Sequence, residues 1–557
     1  MNANVTRREF LKTSVVSAAG LVLGCSVRNR FDLVIRRGLI VDGAGGSGYV
    51  RDIGIRGDRI VAIDDLTSAS ADRIIQAQGL IVAPGFIDIH THTDAGLLVY
   101  PGAESKVHQG VTTEVGGNCG DSPFPLNESD WAELDREFFE SYGLHVDWRD
   151  IGDFLALLEQ KKMSINYAPL TGHGTLRSCV VGRNDVAPTA EQMSAMKNRL
   201  AHTLELGSYG LSTGLEYAPG SYATTEELIE LCKVVAEHHG IYATHIRNED
   251  DQVEEAVAEA LQICRDAEVS LEISHLKACN KSNWHKVDHL LEMIHDASAA
   301  GMPVHADRYP YIAYATGLTI FLPLWARQGS TEEVLQRLHD PDQFSKIKGY
   351  IEGRGQRIGG WDRVIISSCF SEKNKIWEGK SIQECAVTAG MPAVEFIRTR
   401  LIEERNRVGI VGFAMNEDNL KKVLASPLVM IGSDGSAIAP TGKAAEGKPH
   451  PRYYGTFPRV LGRYCRQEQL FDWPTAINKM TAMPAQKLGL RERGIISKGY
   501  YADLVILDPK TIIDNATFVA PHQFPSGISY VIVNGQVTVQ EGQHTGTRAG
   551  MVLRHAG

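Results

Sequence analysis

The stretch that most constrains this chain is Val82-Ala83-Pro84-Gly85-Phe86-Ile87-Asp88-Ile89-His90-Thr91-His92-Thr93-Asp94. It reads as a short apolar strand launched from a Pro-Gly turn. Strand alternation puts Asp88, His90 and His92 on one face and Ile87, Ile89 and Thr91 on the other. Two imidazoles about 7 Å apart along a strand can converge on a divalent ion, for which neutral ring nitrogens are good ligands. Two ligands do not complete a site. The others must come from distant parts of the chain, and a parallel barrel gathers residues from many strand ends at its C-terminal face.

The remaining sequence has the rhythm that such a barrel needs. Short apolar runs alternate with helical stretches such as 225–239 and 253–267, the pattern of repeated βα units on a parallel sheet. The expected fold is therefore α/β, a distorted (β/α)8 TIM barrel over residues 84–484. A charged, helix-forming stretch at about 318–363 breaks the rhythm after Tyr309-Pro310-Tyr311 and reads as an inserted lid. Residues 31–83 are different in texture, with short β-rich runs separated by glycines. The same texture returns over 485–557, where Ala502-Asp503-Leu504-Val505 opens a strand and Asn534-Gly535 marks a hairpin. The two chain ends are expected to meet as one discontinuous small β-sandwich domain.

Composition narrows the function. Of 557 residues, 43% are hydrophobic and 22% charged, which suits a large packed core and excludes disordered, collagenous and coiled-coil chains. Subtracting 67 acidic from 57 basic residues leaves a net charge of -10, so nucleic acid is not an expected partner. Nine cysteines are too sparse for a disulfide-stapled scaffold. Residues 1–30 read as an export signal: Arg7-Arg8-Glu9-Phe10-Leu11-Lys12 resembles the twin-arginine pattern, ahead of an apolar stretch too short to span a bilayer. Val22-Leu23-Gly24-Cys25 resembles a lipoprotein cleavage box, with Cys25 as the lipid anchor. The mature chain is then expected in the periplasm or anchored outside the inner membrane or on the outer membrane, without a transmembrane helix.

Four later segments offer further ligands near strand ends. Val111-Thr112-Thr113-Glu114-Val115 runs into Gly116-Gly117-Asn118-Cys119-Gly120, a β-run ending in a glycine-flanked thiol. Tyr242-Ala243-Thr244-His245 and Leu271-Glu272-Ile273-Ser274-His275-Leu276-Lys277 each deliver a histidine, and Val429-Met430-Ile431-Gly432-Ser433-Asp434-Gly435 a carboxylate. With Gly172-His173-Gly174-Thr175, Ser212-Thr213-Gly214-Leu215-Glu216-Tyr217, Tyr309-Pro310-Tyr311 and His450-Pro451-Arg452-Tyr453, these segments resemble the N-acyl-D-amino-acid deacylase (D-aminoacylase) family of the amidohydrolase superfamily over essentially the whole mature chain. The thiol discriminates. Many superfamily members bridge two metals with a carboxylated lysine, and this family is similar to the present chain in using a cysteine.

The resemblance implies zinc-dependent hydrolysis of the amide bond of N-acyl-D-amino acids. It implies that Cys119, His245 and His275 hold a tight zinc and that His90, His92, Cys119 and Asp434 form a second, weaker position. A thiolate with two neutral imidazoles leaves the ion a net positive charge and an open coordination position, as catalysis requires. Asp434 is expected to shuttle a proton from the attacking water to the departing amine. Arg452 and Lys277 are the candidate cations for the substrate carboxylate, with a hydrogen bond from Tyr309, and Tyr217 is expected to position the scissile amide through its backbone. After Tyr309-Pro310-Tyr311 some relatives carry a small hydroxyl residue near the substrate, whereas this chain reads Ile312-Ala313-Tyr314-Ala315-Thr316, so a preference for acidic D-side chains is not implied. Two other readings stand beside this one: a superfamily hydrolase of a cyclic amide or dipeptide, against which Cys119 argues, and an exported binding lipoprotein without catalysis.

Overall fold

The computed structural model describes residues 30–556. The export segment and Cys25 lie outside the described residues. Eight parallel strands are named here in chain order: β1 (Phe86–Asp88), β2 (Val111–Gly116), β3 (Asn166–Pro169, continued by Thr171–Gly172), β4 (Gly210–Gly214), β5 (Ile241–His245), β6 (Ser270–Ile273), β7 (Val304–Arg308) and β8 (Val429–Ile431). Each pairs in parallel with the next, from β1 to β8. The ring closes just beyond the last strand, where Thr91 bridges Gly435 in parallel, Asp434 N–H donates to the His90 carbonyl at 2.8 Å and His92 N–H to the Gly435 carbonyl at 3.0 Å. Ile87, Val115, Ala168, Ala243 and Met430, from five strands around the ring, meet across its inside together with Ala485 and Leu488 of the helix Ala482–Leu488.

The outer helices form for local reasons. In Val253–Ala267 the residues Val253, Ala256, Val257, Ala260, Leu261 and Cys264 recur at helical spacing and are buried against the strands. Thr225–Glu237 begins where the Thr224 side chain accepts the Glu227 N–H. The strand carrying the two histidines behaves differently from its alternation. It ends at Asp88 and the chain bends at Ile89 and His90, so the three polar residues do not share one environment. Asp88 turns to Lys106 of the helical turn Glu104–Val107, whereas His90 reaches Asp307 at the end of β7.

The two chain ends do meet as one small domain, its nine strands hydrogen-bonded as a continuous sheet whose two halves enclose a shared core. Its joint is Ile81–Pro84 paired antiparallel with Leu504–Leu507. Alternation then serves both faces: Val82, Leu504 and Ile506 enter a small core with Leu33, Ile35, Ile53 and Ile55, while Ala83, Val505 and Leu507 pack toward the barrel. The insertion is longer than 318–363. Tyr314–Gly317, Val364–Cys369 and Val408–Gly412 make an antiparallel three-stranded sheet, with the helices Pro341–Ile358 and Ala393–Glu403 closing a separate core around Phe321, Leu338, Ile351, Ile397 and Ile410. The run Val364–Cys369 looks like another barrel strand in sequence, but antiparallel pairing within the insertion takes it out of the ring. Among the described residues no helix is long and apolar enough to cross a membrane.

Beside the closing seam lies a fully buried cation. Lys106 Nζ is 2.8 Å from Asp88, 3.1 Å from Glu114 and 2.7 Å from the Ser433 hydroxyl, and it donates to the Gly435 carbonyl at 3.3 Å. Removing the cation strands two carboxylates in the interior. Lys106→Met is therefore expected to cost about 3–5 kcal/mol in denaturant unfolding, much of it regained when Asp88→Asn and Glu114→Gln are added.

Candidate metal centre and active site

The expected ligands do converge, at the C-terminal mouth of the barrel. His245 ends β5, His275 follows β6, Cys119 lies beyond β2 and Asp434 beyond β8. His245 Nδ1 is 3.0 Å from His275 Nε2, which is 3.5 Å from Cys119 Sγ. The thiol is in turn 3.3 Å from His90 Nε2, His90 Nε2 is 3.7 Å from Asp434 Oδ1, and His92 Nε2 is 3.0 Å from that same oxygen. Three of these residues sit in left-handed backbone, Cys119 at φ 51°, His275 at φ 37° and Asp434 at φ 51°. Such conformations cost non-glycine residues about 1–3 kcal/mol each and cluster where a site must be aimed. The thiol loop is also wedged: a Cβ on Gly120 would stand 2.6 Å from the Gly214 nitrogen, and one on Gly214 would stand 2.0 Å from the Cys119 carbonyl.

Two of the four expected ligand rings, those of His90 and His275, are held from behind. Asp307 Oδ2 is 2.9 Å from His90 Nδ1, and Glu249 Oε1 is 3.0 Å from His275 Nδ1. Neither carboxylate was expected from the sequence. Their signal, an acid four residues after His245 and another ending a β-run before Tyr309, is too common to single out. Such partners set the tautomer and orientation of a metal-binding imidazole.

Charge shows what the cluster is built to hold. Burial would push the Cys119 thiol up, but the His90 and His275 imidazoles and the hydrogen bonds with His245 and His275 hold it well below its ordinary range, as a thiolate. Burial works against a charged His245 as well, yet Glu249 and the thiolate outweigh it and lift the imidazole to about 10. The anionic groups are thus strong enough to keep protons on buried rings unless another cation replaces them. A divalent ion is that replacement. Nitrogen and sulfur donors 3.0–3.5 Å apart suit one ion at Zn–N of about 2.0–2.1 Å and Zn–S of about 2.3 Å. Among the described residues, His90, Cys119 and His275, then His90, His92 and Asp434, and then His245, Glu249 and His275 each bring ligand atoms within 4.8 Å of one another.

Asp434 faces two ways. Burial opposes its charge, yet the Arg452 guanidinium and the His92 hydrogen bond hold its carboxyl well below the usual range, as an ionised base. Arg452 Nη1 is 2.9 Å from Asp434 Oδ2, off the hydrogen-bond direction, so Nε and Nη1 of this buried guanidinium have no hydrogen-bond partner. The buried Tyr309 hydroxyl has none either, and its ring lies 4.8 Å from the Arg452 guanidinium carbon. Unpaired buried donors are costly, so this pair is prepared for an acceptor. His450 holds Arg452 in place, its ring accepting the Arg452 N–H at 3.0 Å and facing the Ala313 carbonyl at 3.0 Å.

Two expected substrate contacts are arranged differently. Lys277 Nζ is 2.5 Å from Glu249 and 2.9 Å from His275 Nδ1, so it steadies the His275 side of the cluster instead of standing free for a carboxylate. Tyr217 uses both backbone groups inside its own loop, N–H to the Gly214 carbonyl and C=O to the Ser221 N–H. That leaves its ring, centred 4.8 Å from the His245 ring and bonded through its hydroxyl to Thr316 of the insertion at 3.2 Å, to border the site. A cavity of about 1100 Å³ runs from Cys119 and Asp434 outward, walled on one side by insertion residues including Thr316, Phe321 and Ile410.

Comparison with known proteins agrees with this architecture. The sequence profile of the amidohydrolase family matches residues 73–310 and 365–539, leaving out 311–364 of the insertion. The chain is 37% identical to a D-aminoacylase of Alcaligenes xylosoxydans xylosoxydans, over 94% of this chain and 97% of that protein. It is also 37% identical to an N-acyl-D-glutamate deacylase of the same organism, over 95% and 97%. The solved N-acyl-D-glutamate deacylase of Bordetella bronchiseptica, complexed with zinc and a phosphonate mimic of the tetrahedral intermediate, superposes with a TM-score of 0.80 at 34% identity, covering 94% of this chain and all of that one.

The carboxylate behind His275 gives a direct test. Glu249→Gln is expected to weaken zinc binding about 10–100-fold in chelator competition, with Cys119→Ala weakening it further. Affinity in both the variant and the parent should fall as pH drops, because protons compete for the imidazoles and the thiolate.

Proposed function

The chain belongs to the amidohydrolase family, and on that premise we propose that it uses zinc to hydrolyse the amide bond of N-acyl-D-amino acids, releasing a carboxylate and a free D-amino acid. The reading is carried by one juxtaposition: ionised Asp434 touches the ligand cluster through His92 and His90 on one side, and on the other faces Arg452, whose Nε and Nη1 have no hydrogen-bond partner. Cys119, His245 and His275 would hold the tight zinc, and His90, His92, Cys119 and Asp434 a second, weaker one, with the thiol common to both. Zinc supplies Lewis-acid chemistry, lowering the pKa of water and polarising a carbonyl.

The protein's own groups do the rest. Arg452 and Tyr309 bind the free carboxylate with donors that have no partner inside the protein. Lys277 and Glu249 keep His275 oriented, and the Tyr217 ring borders the reacting amide. Asp434 takes a proton from the attacking water and returns it to the nitrogen as the C–N bond breaks, because an unprotonated amine is a very poor leaving group. The D-configuration comes from the relatives, since the same donors in mirror arrangement would serve an L-substrate. Cys119, where other superfamily members carry a carboxylated lysine, supports a linear amide over a cyclic one.

The test is release of primary amine from matched N-acetyl-D- and N-acetyl-L-amino acids by zinc-loaded protein from residue 26 onward. The D series alone should turn over, and Asp434→Asn should lower kcat by about 10²–10⁴ while the tight zinc is retained. Stoichiometric zinc with no amine from either series would refute the reading.

We further propose that the protein leaves the cytoplasm by the twin-arginine route and is anchored through Cys25. Arg7-Arg8 and Val22-Leu23-Gly24-Cys25 support this, and that route carries folded proteins, which suits one that acquires its metal first. Cell fractionation checks it: Arg7→Lys with Arg8→Lys should retain the protein in the cytoplasm, and Cys25→Ser should abolish incorporation of labelled palmitate.

A further inference from the structure

The D-aminoacylase and the N-acyl-D-glutamate deacylase are equally similar to this chain, so identity does not say which side chain it accepts. The charges of the cavity do. Its wall carries six arginine and lysine side chains against ten aspartates and glutamates. We infer that the side-chain pocket admits neutral D-side chains and excludes acidic ones, because among the cations on the wall only the one reserved for the α-carboxylate keeps buried donors without a partner. This inference rests on the hydrolase reading above.

The six cations can be followed one by one. Arg183 lies 3.1 Å from Asp130 and 2.7 Å from Glu133. Arg354, on the insertion helix Pro341–Ile358, is 2.9 Å from Asp250, and Lys277 is 2.5 Å from Glu249. Arg327 spends its guanidinium on the carbonyls of Leu322, Ile320 and Glu216, at 2.7, 2.6 and 2.9 Å. Lys443 is exposed at the rim and donates to the Ser141 carbonyl at 2.7 Å. Arg452 alone of the six keeps buried donors unpartnered, and the substrate's α-carboxylate takes them. A second carboxylate would find Arg183, Arg354 and Lys277 paired with carboxylates and the Arg327 donors committed to carbonyls, and would stand among a surplus of acidic side chains, which disfavours it away from water. A neutral side chain meets no such obstacle, and Thr316, Phe321, Leu322, Ile358 and Ile410 give it apolar and hydroxyl surface.

An isosteric pair isolates the charge. N-acetyl-D-glutamine should exceed N-acetyl-D-glutamate by about 100-fold or more in kcat/KM. Asp250→Asn, which deprives Arg354 of its charged partner, should narrow that ratio at least several-fold, with glutamine turnover as the reference for a folded, zinc-loaded enzyme. Glutamate turned over as well as or better than glutamine overturns the inference and leaves the hydrolase reading intact. An unchanged ratio in Asp250→Asn overturns the claim that engaged cations set the preference. No turnover of any N-acyl-D-amino acid overturns the hydrolase reading and this inference with it.

Discussion

The whole site hangs on the seam where the ring of strands closes. Its two sides come from opposite ends of the barrel sequence, residues 88–92 and 433–435, and they are held by backbone hydrogen bonds between His90, His92, Asp434 and Gly435. Behind that backbone the fully buried Lys106 ties Asp88, Glu114, Ser433 and Gly435 together. Slippage of this seam by one residue would exchange the side chains facing the mouth and part His92 from Asp434. The seam therefore both closes the barrel and sets the first condition for its chemistry. A buried lysine between two carboxylates is a weak source of net stability but a strong specifier of arrangement, since any other pairing leaves a charge stranded.

Closure brings the ligands near one another, and strain then aims them. Cys119, His275 and Asp434 adopt left-handed backbone with side chains that gain nothing from it locally. Binding of an ion would contribute against that cost, because metal affinity at a site absent from the unfolded chain is folding free energy. The rings of His90 and His275 are oriented by Asp307 and Glu249 through contacts that do not involve a metal. The same surplus of negative charge that lifts His245 to about 10 makes protons the natural competitors of the metal.

What could be read in the sequence followed the range of the interaction. The histidine pair, the glycine-flanked Cys119 and the terminal Asp434 are local patterns, and the barrel rhythm is a sum of local patterns, so all were visible. Asp307 meets His90 across 217 residues, and nothing near either one announces the other. Glu249 hid differently, as an ordinary charge whose pairing with Lys277, and with it the loss of Lys277 as a free cation, exists only in the fold. The bend after β1 removed Asp88 from the face that alternation assigned to it, because alternation holds only while a strand continues. The insertion was underestimated for a related reason: Val364–Cys369 is a good strand, and propensity does not say which sheet it joins.

That insertion separates two tasks that a compact barrel would have to combine. Most of the candidate metal ligands, Asp434 among them, sit at or just beyond barrel strands whose register is shared by all eight, so changing them disturbs the ring. The cavity wall from Thr316 to Ile410 belongs instead to a body with its own sheet and its own core. Its Arg354 reaches back to Asp250 in the loop after β5, so charge on that body meets the barrel at the cavity wall. Two chains with the same chemistry and the same overall identity can therefore differ in which side chain they admit. The determinant is the count of engaged and free cations around the cavity, a quantity set by pairing and not by composition.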